Sequence, residues 1–460
     1  MRTNAFLGAS IRQIAIFTVL GVSVAHAGSG RLGVGKEYAT GNHCYDVVVA
    51  DFNNDGVPDL ATTNLRGTSV SVLLGNGDGT FQQYVNYAVA SGPAGLAAAD
   101  FNGDGKRDLV VTTSSSLSVL LGNGNGTFQP HVDFPLQSTR FAVAAGDLNG
   151  DGKQDAVVAS FGTIGVLLGN GDGTFQAEVT YPAGTGDESV VLGDLNHDGF
   201  LDAATNSQDG VSVLLGNGDG SFRSPVTYAA AGSCLRVALG DFNNDRNLDL
   251  AASCQSLKVS VLLGKGDGAF PNHMDMIAGS STYAITVGDL NGDNKQDVVV
   301  VNVDQPGGFG VLLGKGDGTF KAPQNYLVRS QFPSAIAVRD LNHDSAADVV
   351  VADQDVMLSV LMNVGGTQMR LTSSANPETM GQAVTFTAFV HPSMKSSGTP
   401  GGLVKFLDGA ILLGTVPLVS SQASFTVTGL TVGDHQIKAV YSGDSVFNRN
   451  QRTFVEKVTE

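Results

Sequence analysis

Short runs of alternating or β-branched apolar residues, four to six long, cross most of the chain, separated by clusters of Gly, Asn and Asp. Val47 to Ala50 and Val298 to Val301 are typical of these runs. The pattern predicts short strands joined by tight turns. The runs are phased: four of them recur as a unit at a spacing of 47 to 51 residues, seven times over. In the second unit one strand leads into an acidic segment (Leu96 to Ala99) and one leaves it (Leu109 to Thr112). A third follows (Leu117 to Leu121), and a fourth ends the unit (Thr127 to Phe134). A fixed long period means one supersecondary unit built repeatedly. Four strands with hairpin loops in about 48 residues match a propeller blade.

The ends of the array indicate closure. The last unit stops at Leu358 to Met362 without a fourth strand, and the missing strand stands at the start. Tyr38 precedes Asp51 by 13 residues, as Tyr87, Phe134, Tyr181 and Tyr228 precede their own acidic segments. An N-terminal strand that completes the last blade leaves no exposed sheet edge. The expectation is an all-β chain with a seven-bladed β-propeller over residues 28–366.

Each acidic segment is a nonapeptide with Asp, Asn, Asp and Asp at positions 1, 3, 5 and 9, beginning at Asp51, Asp100, Asp147, Asp194, Asp241, Asp289 and Asp340. Three carboxylates crowded on one short loop raise one another's pKa unless a cation lies between them. Oxygen-only ligands select a hard divalent ion, calcium, with a position-7 backbone carbonyl completing a cage of about six or seven oxygens. The expected ligands of loop 1 are Asp51, Asn53, Asp55, Val57 (carbonyl) and Asp59. Those of loop 2 are Asp100, Asn102, Asp104, Lys106 and Asp108, and those of loop 3 Asp147, Asn149, Asp151, Lys153 and Asp155. Loop 4 offers Asp194, Asn196, Asp198, Phe200 and Asp202, and loop 5 offers Asp241, Asn243, Asp245, Asn247 and Asp249. Asp289, Asn291, Asp293, Lys295 and Asp297 belong to loop 6; Asp340, Asn342, Asp344, Ala346 and Asp348 belong to loop 7. Up to seven Ca²⁺ ions are expected. The EF-hand reading fails, because position 12 is Thr, Val or Ala instead of a bidentate Glu, and the flanks are strands. Position 6 is Gly in loops 1 to 4, where a sharp turn favours positive φ. Arg246, Asn294 and Ser345 replace it in loops 5 to 7, and the fifth and seventh sites are expected to be weakest.

A second motif follows each loop: VSVLLGNGDGTF at 70–81, SVLLGNGNGTF at 118–128 and GVLLGNGDGTF at 165–175, with further copies to residue 320. These glycines mark a hairpin turn. A phosphate-binding loop needs a following helix and a Lys-Ser/Thr closure, and neither is present.

The net charge of −17 reads as metal-site charge, since the seven loops use about half of the 43 acidic residues. No basic stripe supports nucleic-acid binding. Arg2 and Arg12 precede an apolar run from Ile14 to Val24, and Ala25-His26-Ala27 supplies a cleavage pattern. Residues 1–27 are therefore expected to be an export signal cleaved after Ala27, and no apolar run reaches membrane-spanning length. Secretion or surface display follows, with a monomer expected. Cys234 and Cys254 face each other across one hairpin and are expected to form a disulfide in an oxidising compartment. Cys44 holds the equivalent position in blade 1 with Asn64 opposite, and is expected to be a buried or idle thiol. His197 and His343, at position 4 of their loops, read as surface residues. Asp187, Glu188, Asp304, Asp353 and Asp355 lie in loops of the opposite face, where a carboxylate pair for glycoside chemistry is one reading and scattered surface acids the other. Arg66, Arg140, Arg236 and Arg329 occupy comparable loops and are candidates for an anionic sugar or a protein carboxylate.

The two motifs in phase, D-x-N-x-D-G-x-x-D and LLGNGDGTF, resemble the FG-GAP/VCBS repeat family and are similar to the propeller of integrin α-subunits. That resemblance implies calcium at positions 1, 3, 5, 7 and 9 and a ligand face opposite the metal loops. From Thr367 the period stops. VTFTAFV (384–390), GLVKFLDG (402–409), LLGTVPLV (412–419), ASFTVTGL (423–430) and HQIKAVYSGD (435–444) read as the strands of a β-sandwich over residues 367–460. This stretch resembles the bacterial Ig-like repeats, which serve as spacers or adhesive units. The function expected is non-catalytic adhesion or recognition of a glycan or extracellular protein. An extracellular carbohydrate-active enzyme such as a polysaccharide lyase, and a structural surface-layer component, remain the alternatives.

Overall fold

The computed structural model describes residues 32–139, 141–186, 189–255, 257–279, 281–304, 307–329, 332–354, 357–392, 398–444 and 447–460. The expected export signal, Arg140, Asp187, Glu188 and Asp355 lie outside them. Seven four-stranded antiparallel sheets form the blades. Blade 1 contains Cys44–Ala50, Asp59–Asn64, Ser69–Leu73 and Val85–Ala88, in that order from axis to rim. The innermost strands neighbour one another in sequence around a ring, and the ring returns from blade 7 to blade 1. In every blade the second strand is buried from end to end, and the third is buried except at its first residue in four blades, because neighbouring blades cover both faces. Their apolar residues are therefore continuous, as in Val298 to Val301, instead of alternating. The rim strand has polar company and is mostly exposed.

The apolar core is divided into seven clusters, each shared by two adjacent blades, plus one inside the C-terminal sandwich. The cluster between blades 7 and 1 joins Tyr38, Leu358 and Val360 to Leu60, Leu73 and Phe81. Tyr38 belongs to the strand Lys36–Ala39, which pairs with Met357–Leu361 and completes blade 7. At this seam the Tyr38 ring meets Phe81 edge-on at 5.4 Å, as Tyr87 meets Phe128 at 5.1 Å one blade further on. Chain closure thus reproduces the ordinary contact between blades.

One strand boundary differs from expectation. The fourth strand of blade 2 runs Val132–Pro135 and does not begin at Thr127. Phe128 forms only an isolated bridge to Gly122, closing the glycine turn. The residues between serve the turn, where Thr127 donates its hydroxyl and its N–H to Asn125 Oδ1.

Within the same hairpin framework Cys234 and Cys254 are register partners and are bonded, with sulfurs 2.03 Å apart. Cys44 is a buried free thiol paired in register with Asn64, and Thr40 Oγ1 lies 2.6 Å from its sulfur.

Residues from Thr367 onward form two sheets. Thr367–Ser373, Ala383–Pro392 and Gln422–Thr428 make one; Glu378–Thr379, Asn450–Thr459, Gly433–Tyr441, Leu403–Asp408 and Ile411–Pro417 make the other. Val384, Phe386, Ala388 and Val390 alternate into the shared core. The final strand, Asn450–Thr459, is hidden in the apolar pattern because Glu456 occupies a fully buried inward position between Phe454 and Val458. His435 is its register partner, donating from both ring nitrogens when charged: Nδ1 lies 2.6 Å from Asp408 Oδ2 and Nε2 lies 2.8 Å from the Thr431 carbonyl. The Thr431 carbonyl and then Asp408 and Glu378 raise the imidazole pKa above 6.5 against partial burial. Burial raises the carboxyls of Glu378 and Glu456 above 4.5.

All three shifts act in one direction. A group whose pKa is raised on folding contributes stability below its unfolded pKa and loses it as pH rises through the folded value. Sandwich stability is thus expected to decline as pH rises above 4.5, and the His435 share to be lost above 6.5. Denaturant unfolding of wild type and His435→Gln across that range checks this. The variant should show a shallower decline above pH 6.5; an identical slope contradicts the assignment.

Candidate functional site

The seven acidic loops share one hydrogen-bond scheme. At position 1, Asp Oδ2 accepts the N–H of position 6, at 2.8 Å in loop 1 and 2.8 Å in loop 7. At position 3, Asn Oδ1 accepts the N–H of position 5; at position 5, Asp Oδ1 accepts the N–H of position 7. The scheme holds through loops 5, 6 and 7, where position 6 is Arg246 (φ 72°), Asn294 (φ 61°) and Ser345 (φ 66°). These side chains thus accept the left-handed conformation that glycine takes elsewhere, at a cost in strain. Position 4 is left-handed too: Asn54, His197, Asn244 and His343 have φ between 58° and 60°. The sequence carries a sign of it, since Gly103, Gly150 and Gly292 hold position 4 in loops 2, 3 and 6 with φ of 69° to 73°. In the other loops some position-4 side chains meet the next blade. His197 Nε2 lies 2.9 Å from Asn247 Oδ1, and Asn244 donates to the Gly316 carbonyl.

Position 9 has a role the motif alone does not reveal. Asp59, Asp108, Asp155, Asp202, Asp249, Asp297 and Asp348 are all fully buried. In each, Oδ2 accepts the N–H of position 2 in its own loop, as Phe52 donates to Asp59 at 2.8 Å. Oδ1 accepts the N–H that opens the glycine turn, as Gly75 donates to Asp59 at 2.7 Å. Asn363 takes the place of that glycine in blade 7, donating to Asp348 at 2.7 Å. The turn in its turn docks on the preceding loop: Gly126 N–H donates to the Phe52 carbonyl, Gly173 to Phe101, and Gly318 to Phe242. The position-9 carboxylate thus holds two backbone donors, and its two oxygens, with about four lone-pair sites, keep accepting capacity beyond them.

Electrostatics favour a cation at these loops. Burial first, and then the neighbouring position-5 and position-1 carboxylates, push Asp59 and Asp249 up to about 6, Asp297 to about 7 and Asp348 to about 8. Asp108, Asp155 and Asp202 are raised for the same reasons. Two position-1 oxygens, Asp51 Oδ1 and Asp194 Oδ1, are buried with no hydrogen-bond partner. The equivalent atom in loop 2, Asp100 Oδ1, accepts the N–H groups of Gly103 at 2.8 Å and Asp104 at 3.2 Å. The orphaned oxygens of Asp51 and Asp194 fit a bound cation. Among the described residues no three His, Cys, Asp or Glu side chains are gathered closely enough to form a metal shell. The lysines of position 7 sit on the position-5 aspartates, at 3.0 Å in loop 2 and 3.2 Å in loop 3.

Residues 51–111, 100–158, 147–205, 203–252 and 289–351 match the FG-GAP-like repeat family. The chain is an FG-GAP-like repeat protein. Residues 371–459 match the bacterial Ig-like domain, group 3. No curated protein matches the chain. Among solved structures, this FG-GAP-like protein is similar to an Agrocybe aegerita lectin that recognises non-reducing terminal N-acetylglucosamine. That likeness has 17% identity and a TM-score of 0.48, and covers 71% of this chain and 97% of the lectin. It is also similar to BBS1N, solved in complex with ARL6DN, at 13% identity and a TM-score of 0.50, covering 73% and 97% of the two chains. These likenesses concern the fold.

The candidate ligand residues on the other face separate. Arg66, Arg329 and Asp304 are exposed. Asp353 is not a surface acid: it ends the strand Asp348–Asp353, paired with Met357 and Pro333, and is 1% exposed. Arg236 is half-buried at the propeller axis, beside Tyr45 and Tyr283, which no sequence motif singles out.

Two substitutions separate the structural and metal roles of the loop. Asp108→Ala leaves two buried backbone donors unmatched, a loss of about 1–3 kcal/mol each. It should lower the melting temperature with or without calcium. Asp104→Ala, at exposed position 5, should lower it only when calcium is present. Equal effects of both in EDTA contradict this division. Ser345→Gly relieves a positive φ and should leave the melt unchanged or raise it; a clear drop contradicts the strain argument.

Proposed function

We propose that this FG-GAP-like protein is a calcium-stabilised extracellular recognition protein that binds a glycan or protein ligand without transforming it. FG-GAP-like propeller repeats joined to a bacterial Ig-like domain suit extracellular ligand recognition. The observation that carries the calcium part is the buried, unpartnered Oδ1 of Asp51 and Asp194 in loops otherwise saturated with their own N–H groups. A Ca²⁺ ion would take oxygens from positions 1, 3, 5 and 9 and the position-7 carbonyl. It would supply the positive charge that the crowded carboxylates lack. The ligand face lies at the opposite end of the innermost strands. Among the described residues, the burial of Asp353 leaves Asp304 as the one exposed acid of the set read there.

A ligand that binds only the folded state stabilises it by mass action. Extracellular calcium modules hold the ion with dissociation constants of about 10⁻⁴–10⁻³ M, so a chelator strips it readily. EDTA should lower the melting temperature, and Ca²⁺ should restore it better than Mg²⁺, whose small octahedral shell suits the loop poorly. An unaltered melt on chelation contradicts the metal assignment. For the ligand, the calcium-loaded protein should bind on a glycan array or capture an extracellular protein. It should release no new reducing ends or unsaturated sugars from a polysaccharide panel; clear turnover overturns the recognition reading in favour of an enzyme.

A further inference from the structure

Blade 7 ends without the glycine turn of the other blades, and the sandwich stands in its place. In blades 2 to 6 one N–H of that turn donates to the position-2 carbonyl of the preceding loop, as Gly220 does to Leu148 and Gly268 to Leu195. In blade 7 the Asn363 side chain makes this contact, donating to the Leu290 carbonyl of loop 6 at 2.7 Å. Asn363 Oδ1 accepts the Gly365 N–H at 3.0 Å, and the Gly365 carbonyl accepts the Asn448 N–H of the sandwich at 2.7 Å. Residues 447–450 of the sandwich therefore rest on the last two acidic loops. A Cβ on Gly292, at position 4 of loop 6, would fall 2.8 Å from Asn448 Cβ. At loop 7 the Asp344 carbonyl accepts the Thr367 N–H at 3.3 Å, and Ser345 Oγ lies 3.5 Å from Asn450 Oδ1.

Loop 7 is changed most by this docking. The position-5 aspartate is exposed in loops 1 to 6, but Asp344 is 1% exposed. Gly366 covers it so closely that a Cβ there would overlap the carboxylate. Asn342 Nδ2 donates to Asp344 Oδ2 at 3.0 Å and the Ala346 N–H to Oδ1 at 2.9 Å, and both donors are neutral. Asp340 and the buried Asp348 share the loop with it. Covering a carboxylate beside like charges is costly unless a cation lies among them. Asp348 cannot relieve the crowding by moving, since its oxygens hold the Leu341 and Asn363 N–H groups. Asp344 can, once the linker over it lifts.

The contact that opposes such lifting is narrow. Among the described residues, no apolar cluster contains residues of both the propeller and the sandwich. Clefts of about 460 and 380 Å³ flank it, one lined by Asp289, Ser345 and Asn450, the other by Asp293, Lys321 and Phe447. Domains joined by small polar contacts move relative to each other by default. Gly365 and Gly366 give the linker the backbone freedom to do so.

We propose that the sandwich is held on the propeller by a cation-dependent clamp at loop 7. With the loop loaded, the linker lies over Asp344 and the sandwich is docked. With the loop empty, Asp344 turns to water, residues 365–367 are uncovered and the sandwich swings free. By linkage, docking raises the cation affinity of loop 7 by the same factor by which the cation favours docking. This inference rests on the calcium reading above and adds a consequence to it: the Ig-like module is stiffly joined only where calcium is present.

The test is small-angle X-ray scattering and limited proteolysis of the full chain, in millimolar Ca²⁺ and in EDTA, well below the melting temperature of the chelated protein. Gly365, Gly366 and Thr367 are buried while the sandwich is docked, so cleavage there by proteinase K reads the lifted state. EDTA should increase the radius of gyration and speed cleavage at residues 365–367 roughly tenfold or more. Asp340→Ala removes the position-1 ligand of loop 7, and in Ca²⁺ it should behave as wild type does in EDTA. Asp100→Ala, the same change in loop 2, should stay docked in Ca²⁺. If Asp340→Ala does not fold, Asn342→Ala takes its place, since it keeps the position-1 carboxylate and loses a side-chain ligand. Chelation that lowers the melt but leaves the radius of gyration and the linker cleavage unchanged overturns the clamp and leaves the calcium reading standing. Equal opening by the loop 2 and loop 7 variants overturns the assignment to loop 7. A chain that binds no calcium removes both the clamp and the reading beneath it.

Discussion

The buried position-9 carboxylate is the interaction on which the rest of the propeller depends. Seven times over it holds the acidic loop with one oxygen and the glycine turn of the same blade with the other. An aspartate with no exposed surface is expensive to keep ionised, and two neighbouring carboxylates in each loop add to that cost. Backbone N–H groups offset part of it. The remainder is greatest at Asp297 and Asp348, whose carboxyls are pushed up furthest, to about 7 and about 8. A cation at the loop surface would act on the same balance from the other side, stabilising the ionised form while both backbone contacts stay in place.

This joint also explains why two motifs recur in phase. The acidic loop and the glycine turn are separated by a strand hairpin in sequence but are tied through one side chain in space. The turn then donates to the preceding blade's loop, and its Phe packs against that loop's Phe, as Phe128 does against Phe52 at 5.5 Å. Glycine is favoured at Gly126 by its φ of 79°, and a Cβ there would also fall 2.7 Å from the Leu74 side chain of the previous blade. Each blade is thereby keyed to its neighbour by the same residues that organise its own loop. Closure requires only that the last blade borrow a strand, which Lys36–Ala39 provides.

Much of this architecture is legible in the amino-acid chain alone. Period, blade strands, seam strand and the register of Cys234 with Cys254 follow from apolar patterning and fixed offsets, which are local signals. What the pattern hides is non-local or breaks the rule. Glu456 masks the last sandwich strand by placing a charged residue where a core residue is expected. Thr127 looks like a strand residue, yet its hydroxyl and N–H are engaged in the turn. Asp353 looks like a loop acid by residue type, yet it stands five residues after Asp348, as Asn64 and Cys254 stand after Asp59 and Asp249, at the end of a buried second strand. The axial cluster is the hardest to foresee: Arg236 meets Tyr45 across 191 residues and Tyr283 across 47. Tyr45 and Tyr283 stand within register shifts of their innermost strands and Arg236 at the edge of one, and bulges leave little trace in periodicity.

The central claim is that the loops are cation sites built around a shared carboxylate joint. Counting bound calcium addresses it directly. Equilibrium dialysis of the purified chain at millimolar Ca²⁺, followed by elemental analysis against protein concentration, should return between four and seven calcium ions per chain. The lower figure corresponds to the loops with glycine at position 6, the upper to all loops. Fewer than four ions would contradict the account.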